Sequence, residues 1–287
     1  MGESDRDKYA AELAHWYAKD DYLNKRNTDK ISIHNRLRFY VYKGLLSEWT
    51  PEQISGRLKE EYPNDTIMSI SHESIYRYIY TRPQASLNKK LIKLLVHKKT
   101  RRRPSKKRRG TGSKIINQVS IDNRPKHIEL RQEIGHWEGD LMIGKDHKSA
   151  IGTIVERKSR YTLIIKLKAR NSKEVAKMFS KYLNKLNPIF KKTMTYDNGI
   201  EMAKHQQITK KTGMKIYFAH PYSSWERGTN ENTNGLIRRY LPKGTDFNLI
   251  DKKRLAEIQE KLNNRPRKII GFKTPKEIML NELKFVA

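Results

Sequence analysis

Three acids carry the chemistry this sequence offers: Asp140 in GHWEGDLMIG, Asp197 in TMTYDNG and Glu231 in WERGTNENTNGLIRRYLPKG. The first lies inside a strand-like segment and the second ends another. The third falls within Trp225 to Tyr240, which reads as a helix stopped by Pro242. Only tertiary folding can gather them. Gathered, they form an oxygen-only site suited to hard divalent cations such as Mg²⁺. The chemistry is phosphoryl transfer on two ions, which activate an oxygen nucleophile and offset charge on the phosphate and leaving oxygen. Asp suits the strand positions because its short side chain holds an ion close to the sheet, whereas Glu reaches inward from a helix. Without metal the carboxylates repel and raise one another's pKa, so an amide at any of the three is expected to lower Mg²⁺ occupancy.

Spacing alone is weak, since 31 acids yield many triples. The surroundings are more informative. An unpaired carboxylate in an apolar strand is expensive, and Asp197-Asn198-Gly199 is turn chemistry that exposes Asp197 at a sheet edge. Glu231 shares a helix face with Arg227, Asn234 and Arg238; its bland role is an ion pair with Arg227 at i,i+4. Glu138, Glu201 and Glu226 compete for the third position. Glu226 stands about 140° round a helix from Glu231 and cannot share its metal. His136, His205 and His220 read as packing or turn residues.

The elements that must position these acids follow from periodicity. Strands are expected over His136 to Ile143, Ala150 to Glu156 and Tyr161 to Leu167, in a meander with short turns. A helix follows to Leu186, then strand Thr193 to Tyr196, helix Glu201 to Lys211, strand Ile216 to Phe218 and a last long helix, Asp251 to Asn263. Three antiparallel strands followed by helix-linked parallel strands is the order of a ribonuclease-H-like α/β domain with a mixed five-stranded sheet, here assigned to residues 121–287.

Residues 32–83 read as an all-α helix-turn-helix unit. Its first helix, about Ser32 to Ser47, carries Leu37, Val41, Leu45 and Leu46 at helical spacing. Its second opens on the capping box Thr50-Pro51-Glu52-Gln53, and its third, from Ser71, buries Ile75 and Ile79. Ser74, Arg77 and Tyr78 are then expected on the exposed face, aimed at a DNA groove; the alternative is an ordinary helical subdomain with Arg77 solvated. Residues 1–31 hold an amphipathic helix over 5–19 and a linker. Residues 84–120 form a basic linker in which Lys98 to Arg109 places nine basic residues among twelve. Arg101, Arg102, Arg103, Lys106, Lys107 and Arg108 there can track phosphates without reading bases.

The net charge of +30, from 61 Lys and Arg against 31 Asp and Glu, calls for a polyanion. Charge alone does not choose DNA over RNA. Membrane-length apolar runs, a signal-peptide region and cysteines are all lacking, which fits a cytoplasmic protein.

GHWEGDLMIG, TYDNG and WERGTNENTNGLIRRYLPKGTDF together resemble the insertion-sequence-thirty family of bacterial transposases. WTPEQISGRL with ISHESIYRYIY resembles that family's helix-turn-helix region, and NNRPRKIIGFKTPKEI its terminal segment. The likeness runs from about Tyr9 to Met279. It implies a retroviral-integrase-like core with an Asp-Asp-Glu triad having 33 residues between the second and third acids, the number between Asp197 and Glu231 here. The family's catalytic and metal-binding roles then fall on Asp140, Asp197 and Glu231, with two Mg²⁺ ions for which Mn²⁺ substitutes. The resemblance also implies double-stranded DNA partners, namely element terminal repeats and target DNA, a homo-oligomer that holds two ends, and a place at the bacterial nucleoid. Family members begin with a further helix-turn-helix, of which the helix over 5–19 is the expected remnant.

The expected activity is strand cleavage at an element end, freeing a 3′-OH that attacks target DNA. Arg227, Arg238, Arg239 and Lys243 would steer phosphates beside the acids. The alternatives are a truncated, non-catalytic DNA-binding regulator and a ribonuclease-H-type nuclease that cleaves without joining.

Overall fold

A computed structural model describes residues 29–81, 115–221 and 223–284, with residue 15. The chain divides into two compact units, residues 1–100 and 101–287. The helix expected over 5–19 and the basic run at 98–109 lie outside the described residues. No helix among those described is long and apolar enough to cross a membrane.

The first unit holds α1 (Lys30–Ile33), α2 (Asn35–Leu46), α3 (Pro51–Glu61) and α4 (His72–Thr81). The helix expected from Ser32 is broken at His34, whose backbone is extended (φ −101°, ψ 103°). The capping box of α3 forms as expected: Gln53 N donates to Thr50 Oγ1 at 3.2 Å and Thr50 N donates to Gln53 Oε1 at 2.9 Å. Leu37, Val41, Leu45, Ile54, Leu58, Ile75 and Ile79 fill the core, whereas Leu46 is exposed. Tyr78 is a further correction. It is buried, and its hydroxyl lies 2.6 Å from that of Tyr42, so it packs inside the unit and does not face outward. Arg77 is exposed, and Ser74 bonds the hydroxyl of Ser71 at the start of α4.

The second unit is built on a five-stranded sheet of order β3-β2-β1-β4-β5. Its strands are β1 (His136–Ile143), β2 (Ala150–Glu156), β3 (Thr162–Lys166), β4 (Thr193–Tyr196) and β5 (Lys215–Phe218). The first three pair antiparallel, and β1–β4 and β4–β5 are parallel. This is the expected ribonuclease-H-like arrangement. One face packs on α5 (Ser172–Leu183) and α6 (His205–Thr212) through Trp137, Leu141, Phe179, Met194 and Ile208. The other packs on α7 (Gly228–Ile237) and α8 (Lys252–Asn263) through Met142, Ile151, Ile164, Ile237 and Ile258. Gly152 has no side chain because the ring of Phe179 takes the space, 2.3 Å from where a Cβ would stand. The last described helix is α9 (Pro275–Lys284). Residues 115–120, read as the end of the linker, pack on this unit: Ile115 is buried and Ser120 bridges to Phe218.

The register positions the acids. Glu138 pairs with Thr195 across the parallel β1–β4 ladder, and Asp140 and Asp197 each follow by two residues. They therefore stand level on adjacent strands, whose spacing is about 4.8 Å.

Candidate active site

Asp140 and Asp197 converge on one cation of the chain itself. Arg227 places Nη1 3.6 Å from Asp140 Oδ1 and Nη2 3.3 Å from Asp197 Oδ2, and Nη1 also donates to the Gly139 carbonyl at 3.2 Å. Asp197 is held in the expected turn, its Oδ1 accepting from Gly199 N at 3.1 Å. Burial pushes the Asp140 carboxyl up to about 6; Arg227 opposes the rise, and Asp197 and Glu201 add to it. Glu201 is raised too, by burial first and by Asp197 among the rest. The electrostatic cluster is thus Asp140, Asp197 and Glu201 around the Arg227 guanidinium.

Glu231 is not part of that cluster among the described residues. The stretch Trp225 to Tyr240 is not one helix: a 3₁₀ turn at Ser224–Arg227 precedes α7, and Arg227 leaves helical geometry between them (φ −126°, ψ 33°). Glu231 consequently lies in the first turn of α7. It is exposed, one residue after buried Asn230 and three before Asn234. At 100° per residue, this is the flank beside the row that faces Asp140. Its carboxylate belongs to no close metal-ligand cluster among the described residues.

That row was only partly anticipated. Asn234 Nδ2 donates to Asp140 Oδ2 at 2.7 Å, while its Oδ1 accepts from Thr153 Oγ1 at 2.9 Å. Asn230, which sequence reasoning passed over, is fully buried. Its Nδ2 donates to the carbonyls of Glu138 and Thr153 at 2.8 and 3.3 Å, and its backbone N donates to Glu138 Oε2 at 3.0 Å. The signal was the asparagine at i and i+4 in NENTNG, a polar row on one helix face. Glu138 is a structural carboxylate: Arg157 Nη1 reaches its Oε1 at 3.1 Å, Arg157 Nη2 reaches Glu129 at 3.0 Å, and Glu129 also pairs with Arg124.

Among the basic residues expected to steer DNA, Arg227 is engaged with the acids. Arg238 closes the end of α7, donating to the carbonyls of Ile143, Leu241 and Pro242 and lying over Phe247; it is a structural cross-link. Arg239 is half-buried, and Lys243 is exposed. Arg101, Arg102, Arg103, Lys106, Lys107 and Arg108 fall outside the described residues.

The residues fit a divalent cation. Two carboxylates and a backbone carbonyl turn oxygens toward one positive group, and an all-oxygen set is what a hard ion takes. A sheet of this order with two level aspartates at its centre defines a ribonuclease-H-like integrase core, and a family model described as the integrase core domain matches residues 131–224. The similarity to curated relatives extends further. The transposase for insertion sequence element IS1086 of Cupriavidus metallidurans is 39% identical over 236 residues, covering 82% of this chain and 70% of that protein. The transposase for IS4351 of Bacteroides fragilis is 41% identical over 270 residues, covering 94% and 80%. Transposase InsI for IS30A of Escherichia coli is 42% identical over 247 residues, 85% of this chain and 64% of that protein. The chain belongs to the IS30 family of insertion-sequence transposases.

Proposed function

We propose that Asp140, Asp197 and Glu231 form the divalent-metal site of a DNA transposase that cleaves at element ends and joins the freed 3′-OH to target DNA. The observation that carries this reading is the convergence of Asp140 and Asp197 on the Arg227 guanidinium, a focus of negative charge at the centre of the sheet. Two Mg²⁺ ions, or Mn²⁺ in their place, would supply activation of the attacking oxygen and charge compensation at the leaving oxygen. Asp140 and Asp197 would hold them from the sheet, and Glu231 from α7 after a rotamer change toward the aspartates. Asn234 fixes the second oxygen of Asp140 and so sets the direction of the first. With a metal held by the aspartates, Arg227 would be free to meet a substrate phosphate.

Double-stranded DNA is the partner, supported by the charge of +30 and by family membership. We assign the helical unit at 32–83 to DNA binding through Arg77 and residues 84–120 to a basic tether. A homo-oligomer in the bacterial cytoplasm, holding two element ends at the nucleoid, completes the reading.

Strand transfer on a duplex carrying the element's own terminal repeat tests it. Metal-ion catalysis contributes several kcal/mol, so Asp140→Asn, Asp197→Asn and Glu231→Gln should each lower joined product by at least ~10²-fold. Glu201→Gln should stay within about 10-fold of wild type. Full activity in Glu231→Gln with loss in Glu201→Gln would move the third ligand to Glu201. Cleavage without joining would instead identify a nuclease, and binding without either reaction a regulator.

A further inference from the structure

His127, Glu133 and His136 converge where the chain enters β1, their ligand atoms all within 4.8 Å of one another. His127 Nε2 lies 3.3 Å and His136 Nε2 2.8 Å from the same oxygen, Glu133 Oε2. The outward-facing atoms are held in place: His136 Nδ1 meets Thr193 Oγ1 at 2.8 Å, and Lys192 Nζ takes Glu133 Oε1 at 2.5 Å. Partners of this kind fix the tautomer and orientation of metal ligands. A cavity lined by His127, Glu133, Lys192 and Glu282 opens beside the three, with room for water as a further ligand.

The cluster is remote from the catalytic acids. His136 pairs with Thr193 at the start of β1 and β4, four residues before Asp140, a run of about 13 Å along the strand.

We propose that His127, Glu133 and His136 form a second metal site, for a borderline divalent ion of the Zn²⁺ class, which ties the lead-in segment to the start of β1. Two imidazoles with one carboxylate suit Zn²⁺, whereas Mg²⁺ takes oxygen. Bonds of about 2.0–2.2 Å in tetrahedral geometry put ligand atoms roughly 3.3–3.5 Å apart. The His127–Glu133 separation already matches, His136 must open by about 0.5 Å from Glu133, and the two imidazole nitrogens, within 4.8 Å of each other, must settle to the same span. Lys192 stays on the other carboxylate oxygen, and its charge lowers the affinity without blocking the position.

The test uses the full chain stripped with EDTA and dialysed, then titrated with Zn²⁺ by calorimetry and with Co²⁺ by its visible absorption. Wild type should bind Zn²⁺ in the presence of excess Mg²⁺. His127→Ala and Glu133→Gln should each weaken binding by at least ~10-fold, and the Asp140→Asn/Asp197→Asn double variant should leave it unchanged. The His127 side chain is 58% exposed, so its removal should not alter the melting temperature in EDTA. Absence of Zn²⁺ binding in wild type, equal binding in His127→Ala, or loss in the aspartate double variant would each overturn the proposal.

Discussion

Replacing Asn230 by Ala should unfasten α7 from the sheet, at a magnitude set by the bonds it breaks. The side chain is fully buried, and Ala leaves the carbonyls of Glu138 and Thr153 without the amide donor that reaches both. Both carbonyls keep their β1–β2 ladder donors, because Glu138–Val155 and Asp140–Thr153 fall in the bonded alternation that runs from His136–Arg157 to Gly144–Ser149, so each loses a second bond and neither is orphaned. Each lost bond is worth about 0.5–1.5 kcal/mol and the vacated side-chain volume adds about 1 kcal/mol, so a total of roughly 3 kcal/mol is expected. In a unit of this size 1 kcal/mol moves the midpoint by about 2–4 °C, giving a drop of roughly 6–12 °C. Asn230→Asp is the sharper control. It keeps the shape but turns a carboxylate toward Glu138, whose Oε2 lies 3.0 Å from the Asn230 backbone N, and it should melt below the Ala variant. Calorimetric melts of the metal-stripped protein measure both. A midpoint within about 2 °C of wild type for Asn230→Ala, or Asp melting above Ala, would refute the account of how α7 is docked.

Three further outcomes follow from the same contacts. In EDTA the folded unit holds a proton on Asp140 between about pH 4, the ordinary Asp value, and about 6; stability should therefore fall as pH rises through that window, and Asp140→Asn should flatten the trend in urea midpoints. Tyr78→Phe should cost about 1 kcal/mol with no change in DNA affinity, whereas Arg77→Ala should weaken binding and reduce the salt slope by about one, both measured by anisotropy across salt concentrations. Gly152→Ala drives a methyl into the Phe179 ring and should destabilise by about 1–3 kcal/mol, read from thermal melts.

Local chemistry made much of the scaffold legible. The limits of β1, β2 and β4 match expectation because each apolar run is closed by Gly, Lys or turn residues, and Thr50 with Gln53 marks the start of α3 unambiguously. Tyr78 was misplaced although the information was present: it follows buried Ile75 by three residues, on the same helix face. Arg238 was beyond local reading. Its partners are carbonyl oxygens, which no side-chain pattern reveals, one of them 95 residues away at Ile143. Glu138 and Asp140 lie on one face of β1 by alternation, but which of them is covered depends on where a helix 92 residues downstream sets down Asn230.

That dependence explains why α7 carries so much polar sequence. Its buried residues are Thr229, Asn230, Thr233 and Ile237, too little apolar surface to fix its rotation by packing alone, since hydrophobic contact is non-directional. Hydrogen bonds are directional, and two asparagines four residues apart define a single azimuth against β1 and β2. A slip of one residue would turn Glu231 by 100° and part Asn234 from Asp140. The asparagine row thus holds the helix in register, and the azimuth of Glu231 rests on amide geometry supplied by Asn230 and Asn234.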